Sequence, residues 1–100
     1  PLAFTSNRVQ RLRRLVNDKS ERAKEKAFAA EGATLIDEAI RAGWKIESQF
    51  VAPGAVACSG AGSAVNDLAA GVMERVASTT SPQPVIAIVL KREHDIDELT

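Results

Sequence analysis

Four arginines fall within seven residues near the start of this chain, Arg8, Arg11, Arg13 and Arg14, in the stretch SNRVQRLRRL. Lys19, Arg22, Lys24 and Lys26 follow, opposed only by Asp18, Glu21 and Glu25, so the first 27 residues carry +5 and the remainder −5. The neutral total of 13 basic and 13 acidic side chains therefore hides a dipolar molecule. Such a face is suited to phosphate: each Lys or Arg set against one releases condensed counterions, and arginine adds a bidentate fork. No aromatic residue is interleaved with the basic ones, so recognition of backbone or shape fits better than readout by base stacking. The competing interpretation is a solvated helix face paired locally with its own acids.

Other chemistries find little support. A lone Cys58 cannot close an internal disulfide, and the single His94 lies far from it, so no zinc-ligand spacing exists. Cys58 reads as an incidental loop residue with no cation nearby to lower its pKa, and His94 as a solvated histidine in a charged tail. The GAG at Gly60 to Gly62 lacks both the third spaced glycine of a dinucleotide site and the Gly-Lys-Ser/Thr of a P-loop. No apolar run approaches a membrane span, and no signal segment opens the chain, which points to a cytoplasmic protein. With 45% hydrophobic but only 4% aromatic residues, a core must be built from Val, Ile, Leu and Ala in α/β layers. A chain of 100 residues holds one such domain. Pro1 at one end and the unclosed polar run REHDIDELT at the other are read as the cut ends of something longer.

The elements that must position the arginines can be read in order. Val9, Leu12, Leu15 and Val16 make one face of a helix over Arg8 to Asp18, capped by Ser6 or Asn7, with Arg11 and Arg14 on one flank and Arg13 on the other. NDKSERAKEK (Asn17 to Lys26) has no apolar period and reads as a charged connection, and AFAAEG (Ala27 to Gly32) as a strand. Leu35, Ile36, Ala39 and Ile40 define a second helix face, with Gly43 at its C-terminal end. KIESQFVA (Lys45 to Ala52) reads as a strand setting Ile46, Ser48 and Phe50 against Glu47, Gln49 and Val51. Pro53 to Ala64 has the composition of a loop. Leu68, Val72, Met73 and Val76 recur at helical spacing, predicting a helix from Asn66 to Val76 with Asn66 or Asp67 as cap. STTSPQP is turn chemistry, and VIAIVL (Val85 to Leu90) is a strand apolar on both faces, as in the centre of a covered sheet. Alternating strands and helices predict an α/β/α sandwich with a mostly parallel sheet.

Four of these segments also resemble, in order, the N-terminal substrate-binding domain of the SpoU (TrmH-like) RNA ribose 2′-O-methyltransferases. They are NRVQRLRRL, FAAEG followed by LIDEAIRAG, FVAP, and STTSPQPVIAIV. The resemblance implies a three-layer α/β/α sandwich similar to a small ribosomal protein and to kink-turn RNA binders. Residues 1–90 would hold ribosomal or transfer RNA, and 91–100 would begin a linker to a knotted catalytic domain that binds S-adenosylmethionine and carries the catalytic arginine. None of that domain's motifs occurs here, so this chain alone would be catalytically silent, cofactor-free and monomeric within a homodimeric parent. By resemblance the family's basic helix falls on Asn7, Arg8, Arg11 and Arg14, its pre-strand arginine on Arg22, and its Glu-Gly turn on Glu31 and Gly32. The loop from Thr79 to Gln83, Thr80 included, matches a segment near the RNA path; Lys19, Lys24 and Lys26 join the set as part of the cationic patch. Ala29 and Ala30 stand where the family commonly has valine, Pro84 where it has a small residue, and residues 53–64 have no counterpart.

Two other classes remain open. A free-standing kink-turn binder would need an Asn-Glu and Lys at the start of a helix, which GATLIDEA lacks. A protein-interaction domain would turn the same arginines toward an acidic partner.

Overall fold

In the computed structural model, which describes residues 1–60 and 62–91, the first helix, α1 (Asn7–Asn17), buries Val9, Leu12 and Leu15. Ser6 precedes it and supplies a backbone acceptor for Gln10 N–H, but its hydroxyl makes no capping bond. The charged connection that follows is itself helical, α2 (Lys19–Glu25). It buries nothing, which is why it leaves no apolar period in the sequence. What starts it is Asp18, whose carboxylate accepts from the backbone N–H groups of Ser20 and Glu21 at 2.9 and 3.4 Å. What ends it is Lys26, in the left-handed region at φ 55°.

Four strands make one sheet: β1 (Ala27–Glu31), β2 (Lys45–Val51), β3 (Ala64–Asp67) and β4 (Val85–Leu90), in the order β1-β4-β2-β3. The α/β layering holds, but the sheet is mixed rather than mostly parallel. β4 runs antiparallel to both neighbours, and only β2 and β3 are parallel. β3 ends beside Val51, and the connection that carries α4 (Val72–Val76) is fastened to that same end of β2 at both of its own ends, Leu68 N–H donating to the Val51 carbonyl at 2.9 Å and Ala52 N–H to the Pro84 carbonyl at 2.9 Å. The chain thus re-enters the sheet at the end it left, with Val85 opposite Val51.

The predicted helix from Asn66 is accordingly a correction. Residues 64–67 form β3, and helix begins only after Gly71, at φ 84°. Pairing with β2 outweighed helical spacing, although Leu68, Val72, Met73 and Val76 are buried as their pattern required.

Helices cover both faces. On one, Val9, Leu12 and Leu15 of α1 and Val72, Met73 and Val76 of α4 pack on Ala27, Phe50, Ile86 and Ile88. On the other, α3 (Ala33–Arg41) sets Ile36 against Ala30, Ile46, Val51, Val85, Ala87 and Val89. β4 is buried along Val85 to Val89, the central strand its composition indicated. Ala27 and Ala30 lie on opposite faces of β1, where their small volumes let helices approach. Leu35, placed by spacing on the buried face of α3, is 51% exposed instead.

The alternation expected of β2 fails at one point. Ile46 pairs with Val89 but Ser48 with Ile88, so Glu47 is an extra residue, a β-bulge. Ile46 and Phe50 consequently pack on opposite faces of the sheet. The loop after β2 is pinned by Gln49, 1% exposed. Its amide accepts from Cys58 N–H at 2.8 Å and donates to the Cys58 carbonyl at 3.0 Å and to Ser63 Oγ at 3.2 Å. Burial pushes the Cys58 thiol up from its ordinary pKa, helped by the charge of Asp37. His94 and the linker expectation lie outside the described residues.

A candidate nucleic-acid interface

The arginines of α1 prove to have unequal freedom. Arg11 donates from Nε to Glu25 at 2.8 Å, from Nη2 to Glu47 Oε2 at 2.9 Å, and from Nη1 to Glu47 Oε1. Glu47, the residue next to Ile46 and so on the opposite face of β2, reaches back to the helix from the bulge. The bidentate bond from Arg11 holds the Glu47 carboxyl below its usual range, against the opposing effect of burial. The same partner raises the guanidinium pKa further above neutrality. Arg11 is thus spent on an internal ion pair rather than presented to a ligand.

Arg22 is similarly occupied. Its Nη1 donates to the carbonyls of Leu15 and Val16 at 3.0 and 3.1 Å, satisfying acceptors that the end of α1 leaves open. Arg13 lies 5.7 Å and Arg75 3.6 Å from the centre of the Phe4 ring, a cation on an aromatic face in both cases.

What remains outward is a different set. Arg14, Lys19, Lys24 and Lys26 are exposed and make no ion pair among the described residues, and Asn7 is exposed beside them on α1. Strand register adds two lysines that sequence distance concealed. Lys91 N–H donates to the Lys26 carbonyl at 2.9 Å, and Lys45 pairs with Leu90. Lys26, Lys91 and Lys45 therefore mark the ends of three adjacent strands at one end of the sheet. No signal in the sequence could have grouped them, because only antiparallel pairing does so.

Glu31, Gly32 and Thr80 lie at the other end. The length of β1, about 16 Å, separates Glu31 from Lys26, so the candidate residues form two groups rather than one. Glu31 accepts from Ser78 N–H at 2.9 Å and Ser78 Oγ at 2.6 Å, which fastens the loop carrying exposed Thr80. Gly32 has φ 104°, and a Cβ there would stand 3.0 Å from the Gln83 side chain. The turn thus needs glycine for its conformation, while the exposed Gln83 side chain would have to give by only a few tenths of an ångström.

Arg8 is the intermediate case. Its Nη1 donates to Asn66 Oδ1 at 3.0 Å, a neutral partner, and among the described residues no acid pairs with it. Asn66, expected as a helix cap, is instead buried in β3 and donates to the Gln49 carbonyl at 3.3 Å.

A family model describing the MRM3-like substrate binding domain matches residues 6–87. The chain belongs to the MRM3-like substrate binding domain family. Two solved rRNA methyltransferase structures from Sinorhizobium meliloti, one of them AdoMet-bound, share the fold of this MRM3-like domain. They are 27% and 28% identical with TM-scores of 0.72 and 0.68; the match covers 91% of this chain in both cases and 36% and 37% of theirs. The SpoU methyltransferase AviRb from Streptomyces viridochromogenes, in complex with AdoMet, is similar in fold at 16% identity, with a TM-score of 0.76 over 95% of this chain and 39% of its own. A comparison with curated proteins finds no match. The MRM3-like domain spans little more than a third of the solved chains it matches.

Proposed function

We propose that this MRM3-like domain holds the RNA substrate of an S-adenosylmethionine-dependent ribose 2′-O-methyltransferase acting on ribosomal or transfer RNA. Residues 1–90 form the RNA-holding unit, and the chain from Lys91 leads toward a catalytic domain that binds the cofactor and supplies the chemistry. The setting is cytoplasmic and the parent a homodimer. The observation that carries the proposal is the family match over residues 6–87, and the unpaired cations of α1, α2 and the strand ends supply the physical means. Phosphates set against Arg14, Lys19, Lys24 and Lys26 would release counterions, giving affinity that falls steeply with salt.

Binding of this chain to a labelled RNA stem-loop, titrated at several salt concentrations, tests the proposal. Replacing Arg14, Lys24 and Lys26 one at a time by Gln is expected to weaken binding and to lower the salt slope by about one per lost phosphate contact. Absence of binding even at low salt would overturn it. Arg11 and Arg22 are unsuitable for this test, since their loss breaks internal contacts.

A further inference from the structure

A cleft of about 280 Å³ opens between α1 and the β2–β3 edge of the sheet, with Arg8 and Arg11 on one wall, Glu47, Ser48 and Asn66 on the other, and Phe50 also lining it. We propose that this cleft receives one unpaired nucleobase of the bound RNA, gripped by Arg8 in the orientation that Asn66 imposes. The proposal rests on the RNA-holding function above and adds to it a site and a ligand class.

Arg8 carries the argument. Fixing a long side chain costs entropy, and a surface arginine normally recovers it from an ion pair. Arg8 is fixed by a neutral amide instead, through the 3.0 Å bond to Asn66 Oδ1. Asn66 is itself 8% exposed, and its Nδ2 donates to the Gln49 carbonyl, so the amide is held with its oxygen toward Arg8. A guanidinium held in place by one donor, with its other donors and its charge left over, is preorganised for a ligand.

The remaining walls distinguish a base from a phosphate. Glu47 and Glu25 already neutralise Arg11, so Arg8 is the one cation of the lining without an acidic partner among the described residues, and a phosphate seated here would have that single cation and a carboxylate beside it. A nucleobase is neutral, with donors and acceptors alternating along its edge and a flat face to lay on a guanidinium plane, which is how unstacked RNA bases are commonly held. The cleft offers a donor in Arg8, an acceptor in Glu47, and a hydroxyl able to do either in Ser48. Its volume lies just below the range of about 300–1,000 Å³ typical of ligand clefts, suited to one base rather than a larger group. The β-bulge contributes directly: were the alternation unbroken from Ile46, Ser48 would fall on the same face as Ile46, among the α3 contacts. Phosphates then remain for the exposed cations outside.

Fluorescence anisotropy with the full chain tests this, using a labelled mixed-sequence nine-nucleotide single strand and a blunt RNA duplex of twelve base pairs. Arg8→Lys keeps the charge but loses the planar fork, so single-strand affinity is expected to fall about tenfold, with duplex affinity and both salt slopes unchanged. Ser48→Ala is expected to shift single-strand affinity in the same direction by a smaller factor. Thermal melts of each variant establish that it is folded. Wild-type single-strand affinity in folded Arg8→Lys would overturn the pocket while leaving the RNA-holding function standing. If the wild-type chain bound neither RNA at low salt, both would fall together.

Discussion

Arg11 and Glu47 show how one residue's neighbours decide what its charge is for. Because Arg11 holds the folded-state pKa of Glu47 below 4.5, this pair's stabilisation is fully present above pH 4.5 and is lost as pH falls through the lower folded value. Urea midpoints of wild type and Glu47→Gln, compared across pH, are expected to differ most at neutral pH and to converge in acid. At Gly32 two constraints coincide, and they can be separated. Gly32→Ala is expected to cost about 1–3 kcal/mol in urea unfolding, since an alanine resists φ 104°. Removing the Gln83 side chain in the same background relieves only the contact, so Gly32→Ala with Gln83→Ala is expected to recover little.

At the scale of elements, α2 depends on its ends because it buries no side chain. Asp18→Ala removes its capping acceptor and is expected to lower stability by about 1 kcal/mol, with a loss of helical circular dichroism. At its other end Lys26 occupies a left-handed conformation that costs a non-glycine residue roughly 1–2 kcal/mol. Lys26→Gly is expected to raise the melting temperature slightly while weakening RNA binding. Opposite movements of the two readouts would mark Lys26 as kept for its charge.

For the whole molecule, the exposed edge of the sheet is closed by residues before the first helix. Leu2 N–H donates to the Asp67 carbonyl at 2.7 Å, Ala69 N–H donates to the Leu2 carbonyl at 2.9 Å, and the Phe4 ring lies beneath Arg75 and Arg13. Deleting residues 1–5 removes these contacts together and is expected to cost roughly 2–4 kcal/mol in a chemical denaturation curve. A smaller loss would mean that β3 holds its place through β2 alone.

The α/β layers, the burial of Val9, Leu12 and Leu15, the central place of Val85 to Leu90 and the cationic first third were all legible in residue order, because period, β-branching and charge are local properties. The family resemblance rested on the same ordered segments and holds. What residue order could not supply was partnership across distance. The connection through α4 returned to the end of the sheet it had left, so β4 runs antiparallel, and that pairing set Lys45 and Lys91 beside Lys26. A single extra residue at Glu47 shifted the alternation of β2 so that Ser48 faced the cleft beside it, while Glu47 itself took up Arg11. Asn66 looked like a helix cap, and became the buried amide that orients Arg8 once β3 paired with β2. Local sequence determined which residues were charged, apolar or small; tertiary pairing decided which charges were neutralised and which were left to act.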